Sequence, residues 1–597
     1  MYQRVVSCLL LLSLICTASN QIVAGTFEVK DKNELYELMV RLRATQFLQR
    51  ATFGPTDEEV DALTKRMLQV GVVRGAEAWI DRQFDLPATY HQPLAEEMVE
   101  ADGFETTLTG INVSRYRYHA WWHIAITSED QLRQRMAWAL MQICVIGPNA
   151  SNFNNAQAGK LGKGRWLGMS NYYDMLLRNS FKTYRDVLGD VTFHPNMGVW
   201  LSHLRNRKAD SSANRFPDEN YAREVLQLFS IGLYELNPDG SHKTDSEGNS
   251  IPTFDNTTIE TFARLFTGLT YNQSNTITWG TVNFQEPMMI FEDEHDRDPK
   301  QVFNGVTLPG DTDGIADINA GLDNIMAHEN IGPFICRRLI QRFVRSNPSK
   351  GYLERVVTKF NNNGQGVRGD LKAVIKAILL DQEAWAGIRM KPISKPLRLY
   401  VEGRGTEFSR LQEPVLAYAS FLRRYAVSTD YQNDWYMFNS LNWHLNQYPY
   451  GSPSVFNFYL PDFQPAGEIT SYVASENLPG DSLYAPEFQL LDGVYANRIP
   501  NLFRGNVNNG VFTQTLLWRD EGNITATTTF DYPDEIALAG DPQKLVEYLD
   551  AKLCCGTMDD KTRQRIVEAI SISTNENNRY RAALSAVLNS PACNIAE

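Results

Sequence analysis

Cysteine is scarce in this chain, with seven among 597 residues. That is too few for a disulfide scaffold, and no C-x-x-C spacing offers a zinc ribbon or a thioredoxin-like site. Also missing are G-x-S-x-G, the P-loop and G-x-G-x-x-G, so no nucleotide cofactor is expected. Basic charge is in deficit: 57 Lys and Arg stand against 70 Asp and Glu, a formal net charge of −13. So acidic a chain is a poor nonspecific binder of nucleic acid or anionic membrane, and no nucleic-acid partner is expected. No run of apolar residues approaches the roughly 20 that span a bilayer as a helix. With 43% hydrophobic and 21% charged residues, the composition is that of a folded soluble protein, neither disordered nor polytopic.

What is present begins with a targeting signal. Residues 1–18 read MYQRVVSCLLLLSLICTA. Arg4 supplies a positive n-region and Val5–Ile15 a short apolar core, followed by small residues at Ala18 and Ser19 that suit cleavage, with Ala24 as a later alternative. Bulky Leu14 and Ile15 argue against a lipoprotein site at Cys16, and no twin Arg is present. The expected location is therefore periplasmic or secreted through a Sec-type signal, with no transmembrane segment after cleavage. Removal of this segment leaves Cys144, Cys336, Cys554, Cys555 and Cys593. Cys144 and Cys336 sit in apolar helical patterns and read as core. One of the Cys554–Cys555 pair is expected to bridge to Cys593.

The remaining chain reads as mainly α, a large multi-helix domain with short β-hairpin insertions and irregular Pro/aromatic-rich segments. Thr56-Asp-Glu-Glu59 is a capping box. Helices are expected over Glu129–Ile146, Met169–Leu188 (one or a pair), Pro217–Gly232 with Pro217 at an N1-like position, and from Asp255 or Asn256 to Gly268. Later ones are expected over 318–326, 333–345, 351–361, 369–385, 414–424, 542–551, 559–573 and 579–588. Residues 236–252 read as a two-turn hairpin excursion. The helical core is expected over 40–490. Residues 491–597 would be its C-terminal continuation, with a flexible or strand-bearing Asn/Thr/Gly-rich insertion at about 506–534.

Ordered runs then meet a family. They include Phe47-Leu-Gln-Arg-Ala-Thr-Phe-Gly-Pro-Thr56, Arg133-Gln-Arg-Met-Ala-Trp138, His194-Pro-Asn-Met-Gly198, Pro217-Asp-Glu-Asn-Tyr-Ala-Arg-Glu224, Ser452-Pro-Ser-Val-Phe-Asn-Phe458 and Ala485-Pro-Glu-Phe488. On these the chain resembles the bacterial exported family filed as domain of unknown function 1800, over nearly its whole mature length. The resemblance implies export, and a partnership with a second exported protein of sulfatase- or phosphatase-like fold. It implies no reaction. The usual His-Asp-x-Gly-x-Lys run departs here to His295-Asp-Arg-Asp-Pro-Lys300.

Polar residues concentrate between His194 and His295. One expectation is a hydrolase-like or metal-dependent enzyme that uses His194, Glu219, Arg223 and Glu224 for proton handling and orientation of an anionic group. His295 and Asp296 would then hold a divalent metal. The competing expectation for Glu219–Arg223 and Glu260–Arg264 is a pair of helix-surface ion pairs. Asp311-x-Asp313-Gly resembles a fragment of a calcium loop without the full spacing. His119 and His123 are expected to stack on Trp121 and Trp122. Gly480-Asp-Ser-Leu483 spells a lipase-like signature, but no His follows His444 to serve it. The second functional expectation is a non-catalytic partner or assembly factor for an exported enzyme or a cell-surface polymer. It rests on the aromatic cluster Trp435, Tyr436, Trp443, Tyr448, Tyr450, Phe456 and Phe458, which could stack on sugar rings or form core.

Overall fold

Helix starts are written into the sequence as caps. Thr56 accepts from the Glu59 amide while the Glu59 carboxylate accepts from the Thr56 amide, closing the expected capping box. Thr183 with Asp186 does the same, and Asp255, Ser349, Asp370, Asp541 and Asp559 cap further helices with their side chains.

The computed structural model describes residues 23–103, 113–148, 166–277, 282–394, 397–403, 409–466, 483–517 and 523–596. The expected targeting segment, residues 1–18, and the Gly480–Ser482 part of the lipase-like signature lie outside them. Strand β1 (Val23–Glu28) leads into helices α1 (Lys32–Ala51), α2 (Asp57–Val70), α3 (Val72–Asp85), α4 (His91–Ala101), α5 (Tyr116–Thr127), α6 (Gln131–Met141), α7 (Leu167–Asn179), α8 (Tyr184–Phe193) and α9 (Pro195–Trp200). Helices α10 (Asn220–Gln227) and α11 (Asn256–Leu265) precede two small antiparallel pairs, β2 (Leu269–Thr270) with β3 (Met289–Ile290), and β4 (Lys300–Gln301) with β5 (Thr307–Leu308). Helices α12 (Gly314–Ala327), α13 (Ile331–Phe343), α14 (Lys350–Asn361) and α15 (Leu371–Leu380) follow.

A hairpin of β6 (Ile388–Ser394) and β7 (Leu397–Gly403) pairs through β7 with β1, in the order β1-β7-β6. After β8 (Arg410–Leu411) come α16 (Pro414–Tyr425), β9 (Ala426–Thr429), the one-turn helix α17 (Asn442–Leu445) and α18 (Tyr495–Asn509). Strands β10 (Val511–Leu517) and β11 (Ile524–Phe530) extend onto β9 as a second three-stranded sheet. The chain closes with α19 (Pro533–Leu538), α20 (Pro542–Leu553), α21 (Asp560–Ser571), α22 (Glu576–Leu588), α23 (Pro591–Asn594) and β12 (Ile595–Ala596), the last pairing with β8. The class is mainly α. Among the described residues no helix is long and apolar enough to cross a membrane.

Some local expectations change and others hold. Pro217 does not open its helix: the first helical residue is Asn220 and Glu219 precedes it as N-cap. The stretch 236–252 keeps its expected two-turn form between α10 and α11, held by the isolated antiparallel bridges Leu236–His242 and Thr244–Ser250. Of the two alternatives for residues 506–534 the strand-bearing one holds: the described residues carry the end of α18 and the strands β10 and β11. Asp313 caps α12 by accepting from the Ala316 amide, so the calcium-loop fragment serves a helix start.

One set of contacting buried side chains runs from Val40 to Val587, so most helices share a core. Strand β1 and the C-terminal helices meet. Arg563 of α21 donates to the Thr26 carbonyl of β1 and to Asp550, and its guanidinium lies over the Phe27 ring. A disulfide joins Cys554 to Cys593, while Cys144, Cys336 and Cys555 are buried thiols.

Candidate functional site

Among the described residues no hydrogen bond or ion pair links all six expected site residues to one another. His194 is buried and caps α9: its Nδ1 accepts from the Asn196 amide, and its Nε2 bonds Asn171 Oδ1 at 3.0 Å. Burial, and secondarily Arg178, pulls its pKa down to about 3, so the ring is neutral at physiological pH. Glu219 and Arg223 form a half-exposed i,i+4 pair at 3.2 Å. Glu224 faces inward, where burial raises its pKa and one carboxylate oxygen has no hydrogen-bond partner. Among the described residues no hydrogen bond or ion pair joins His194 to these three.

His295 and Asp296 belong to a buried ion network. His295 bonds the Thr267 carbonyl through Nδ1 at 2.9 Å and Asp317 through Nε2 at 3.1 Å. Lys300, also buried, stands 2.7 Å from the same Asp317 oxygen and donates to the Asp296 carbonyl. Arg264 grips Asp296 with two bonds of 2.9 Å, so the expected Glu260–Arg264 pair is replaced by one between α11 and the loop before β4. Burial opposes the Asp317 charge, but the bonds from His295 and Lys300 prevail and hold its pKa below the usual carboxylate range. Among the described residues no three His, Cys, Asp or Glu side chains are placed to hold a metal ion. His119 packs against Tyr116 and His123 against Tyr436, while Trp121 and Trp122 pack edge to face on each other.

The aromatic cluster divides. Trp435 and Tyr450 are buried as core, whereas Trp443 keeps 66% of its surface exposed. Trp443 stands on α17 at the mouth of a cleft of about 520 Å³ between α17, α18 and the start of β10. One face of α18 supplies the wall through Arg498, Asn501, Leu502, Gly505, Asn506 and Asn509, at spacings of three and four residues. Arg498 lies 3.5 Å over the Trp443 ring and donates to the Trp443 carbonyl at 3.1 Å, fixing the indole on its helix. His444 lies beside it, its pKa lowered by burial and then by Arg498.

Gly505 widens the cleft: a Cβ built there meets nothing within 4 Å. Of the thirteen non-glycine residues with positive φ among those described, six lie from Asn433 to Asn457, and Leu441 and Asn446 bracket α17. Among the described residues no carboxylate lines the cleft. It has an aromatic platform in Trp443, amide donors and acceptors, an imidazole in His444 and one guanidinium in Arg498. Trp443 was legible as an aromatic. Its wall was hidden because Arg498, Asn501, Gly505 and Asn509 form a stripe only if 495–509 is read as a helix.

The fold and cleft define a mainly α, many-helix protein with an open polar-aromatic groove near its C-terminal third. The chain belongs to the family described as Protein of unknown function (DUF1800), whose model matches residues 46–595. No curated protein and no solved structure matches it.

Proposed function

We propose that this is a non-catalytic binding protein for a cell-surface polysaccharide, acting after export beside a second exported protein of sulfatase- or phosphatase-like fold. The observation that carries the reading is Trp443, a pinned and largely exposed indole at the mouth of a cleft lined by Asn501, Asn509, Thr513 and Arg498. Sugar rings offer an apolar C–H face to an indole and hydroxyls to amides, and Arg498 adds preference for acidic sugars. The test is a titration of mature protein with soluble neutral and acidic polysaccharides, read by tryptophan fluorescence. Saturable quenching that disappears in Gly505→Leu, which places bulk in the groove, is the expected outcome. Absence of binding to every polysaccharide would overturn the proposal.

A second reading, a hydrolase that uses Glu224, draws on its buried, partnerless carboxyl oxygen and raised pKa. It predicts ester or glycoside turnover that Glu224→Gln abolishes, measured on chromogenic substrates. No turnover by the wild type would dismiss it.

A further inference from the structure

A second set of charges is buried far more deeply than the cleft. Arg135 of α6, Arg342 of α13, Arg410 of β8, Glu413 at the start of α16, and Glu487 are all at most 5% exposed. Arg410 Nη1 stands 3.8 Å from a carboxylate oxygen of both Glu413 and Glu487, beyond hydrogen-bond length. Arg135 donates to the Arg342 carbonyl at 3.2 Å, and the Arg342 guanidinium lies 4.4 Å over the Tyr459 ring. The second Glu413 oxygen is occupied, accepting from Trp138, Gln142 and Gln447.

The bonds that are missing are nearly all on one side of the account. Nε and Nη1 of Arg135, Nε and Nη1 of Arg410, and Nε of Arg342 have no hydrogen-bond partner. Against those nitrogens stand only Glu413 Oε1 and the Tyr459 hydroxyl as unpartnered oxygens in the cluster. Three guanidinium charges also face two carboxyls, one of which, Glu487, is pushed by burial toward its neutral form, with a pKa of about 7. A water molecule accepts two of these donors only by bringing two of its own, so it leaves the net surplus of donors unchanged. A small anion brings acceptors only and supplies the missing negative charge.

We propose that this interior cluster is a binding site for a single small inorganic anion of chloride size, held between Arg135 and Arg410. The site is separate from the cleft and independent of the polysaccharide reading. In crystals of the full chain grown in bromide without chloride, a bromine anomalous peak is expected within hydrogen-bond reach of both guanidinium groups. A water at that position, or the two arginines closed onto Glu413 and Glu487 with nothing between, overturns the proposal.

In solution at pH 8, the melting temperature should rise saturably with chloride and not with gluconate at equal ionic strength. Arg410→Met should abolish the chloride response. Because that variant risks misfolding, Glu487→Gln provides a milder check. Removing one nearby negative charge should lower the half-saturating chloride concentration on the order of tenfold. An identical response to chloride and gluconate, or an unchanged half-saturation in Glu487→Gln, contradicts the site.

Discussion

Lys300 and Glu219 show how differently two charged residues from the same polar stretch behave. Lys300 is buried against Asp317 and the Asp296 carbonyl, so Lys300→Met strands a buried carboxylate and should cost roughly 3–5 kcal/mol. Glu219 pairs with Arg223 in solvent, and Glu219→Ala should cost about 0–1 kcal/mol. Urea unfolding of the two variants measures the contrast, and comparable losses would refute it. The His295-Asp296 dipeptide was visible as a polar run. Its partners Arg264 and Asp317 lie on α11 and α12, 32 and 22 residues from the residues they bind, beyond the reach of local spacing. Solvation is the usual fate of such charge runs, but here tertiary packing buried this one.

Caps and apolar periodicity are local, so the elements they define were largely legible. Thr56, Asp255 and the helices 350–361 and 414–425 fall close to where the sequence places them. The β1-β7-β6 sheet was not, because residues 23–28 pair with residues 398–403 and no short-range signal links them. Two tests belong at this scale. Gly505 is interior to α18 with open space at its Cβ position, so Gly505→Ala should stabilise the protein by about 0.5–1 kcal/mol, seen as a higher melting temperature. The Cys554–Cys593 disulfide closes a 39-residue separation, and Cys593→Ser should cost roughly 2–4 kcal/mol, a loss that denaturant titration measures.

For the whole molecule the dominant titratable feature is buried neutral histidine. Burial holds His91, His119, His123 and His203 at about 4 and His194 at about 3. Between pH 6.5 and about 4 the unfolded chain takes up protons at these positions and the folded chain does not, so stability falls as pH falls through that window. Asp174, Glu487 and Asp550, raised by burial to about 7, 7 and 6, act in the opposite sense, but the histidines outnumber them. The melting temperature should therefore drop steadily from pH 6.5 to 4.5, and a flat profile would contradict this balance.

The cleft is also a property of the whole, joining α17 to a face of α18 some 55 residues later. The most direct measurement of its role compares polysaccharide affinity of the wild type, Trp443→Ala and Glu224→Gln by isothermal titration. Loss of at least about tenfold in Trp443→Ala with Glu224→Gln unchanged is the predicted result. Binding that survives in Trp443→Ala would contradict the cleft as the binding site.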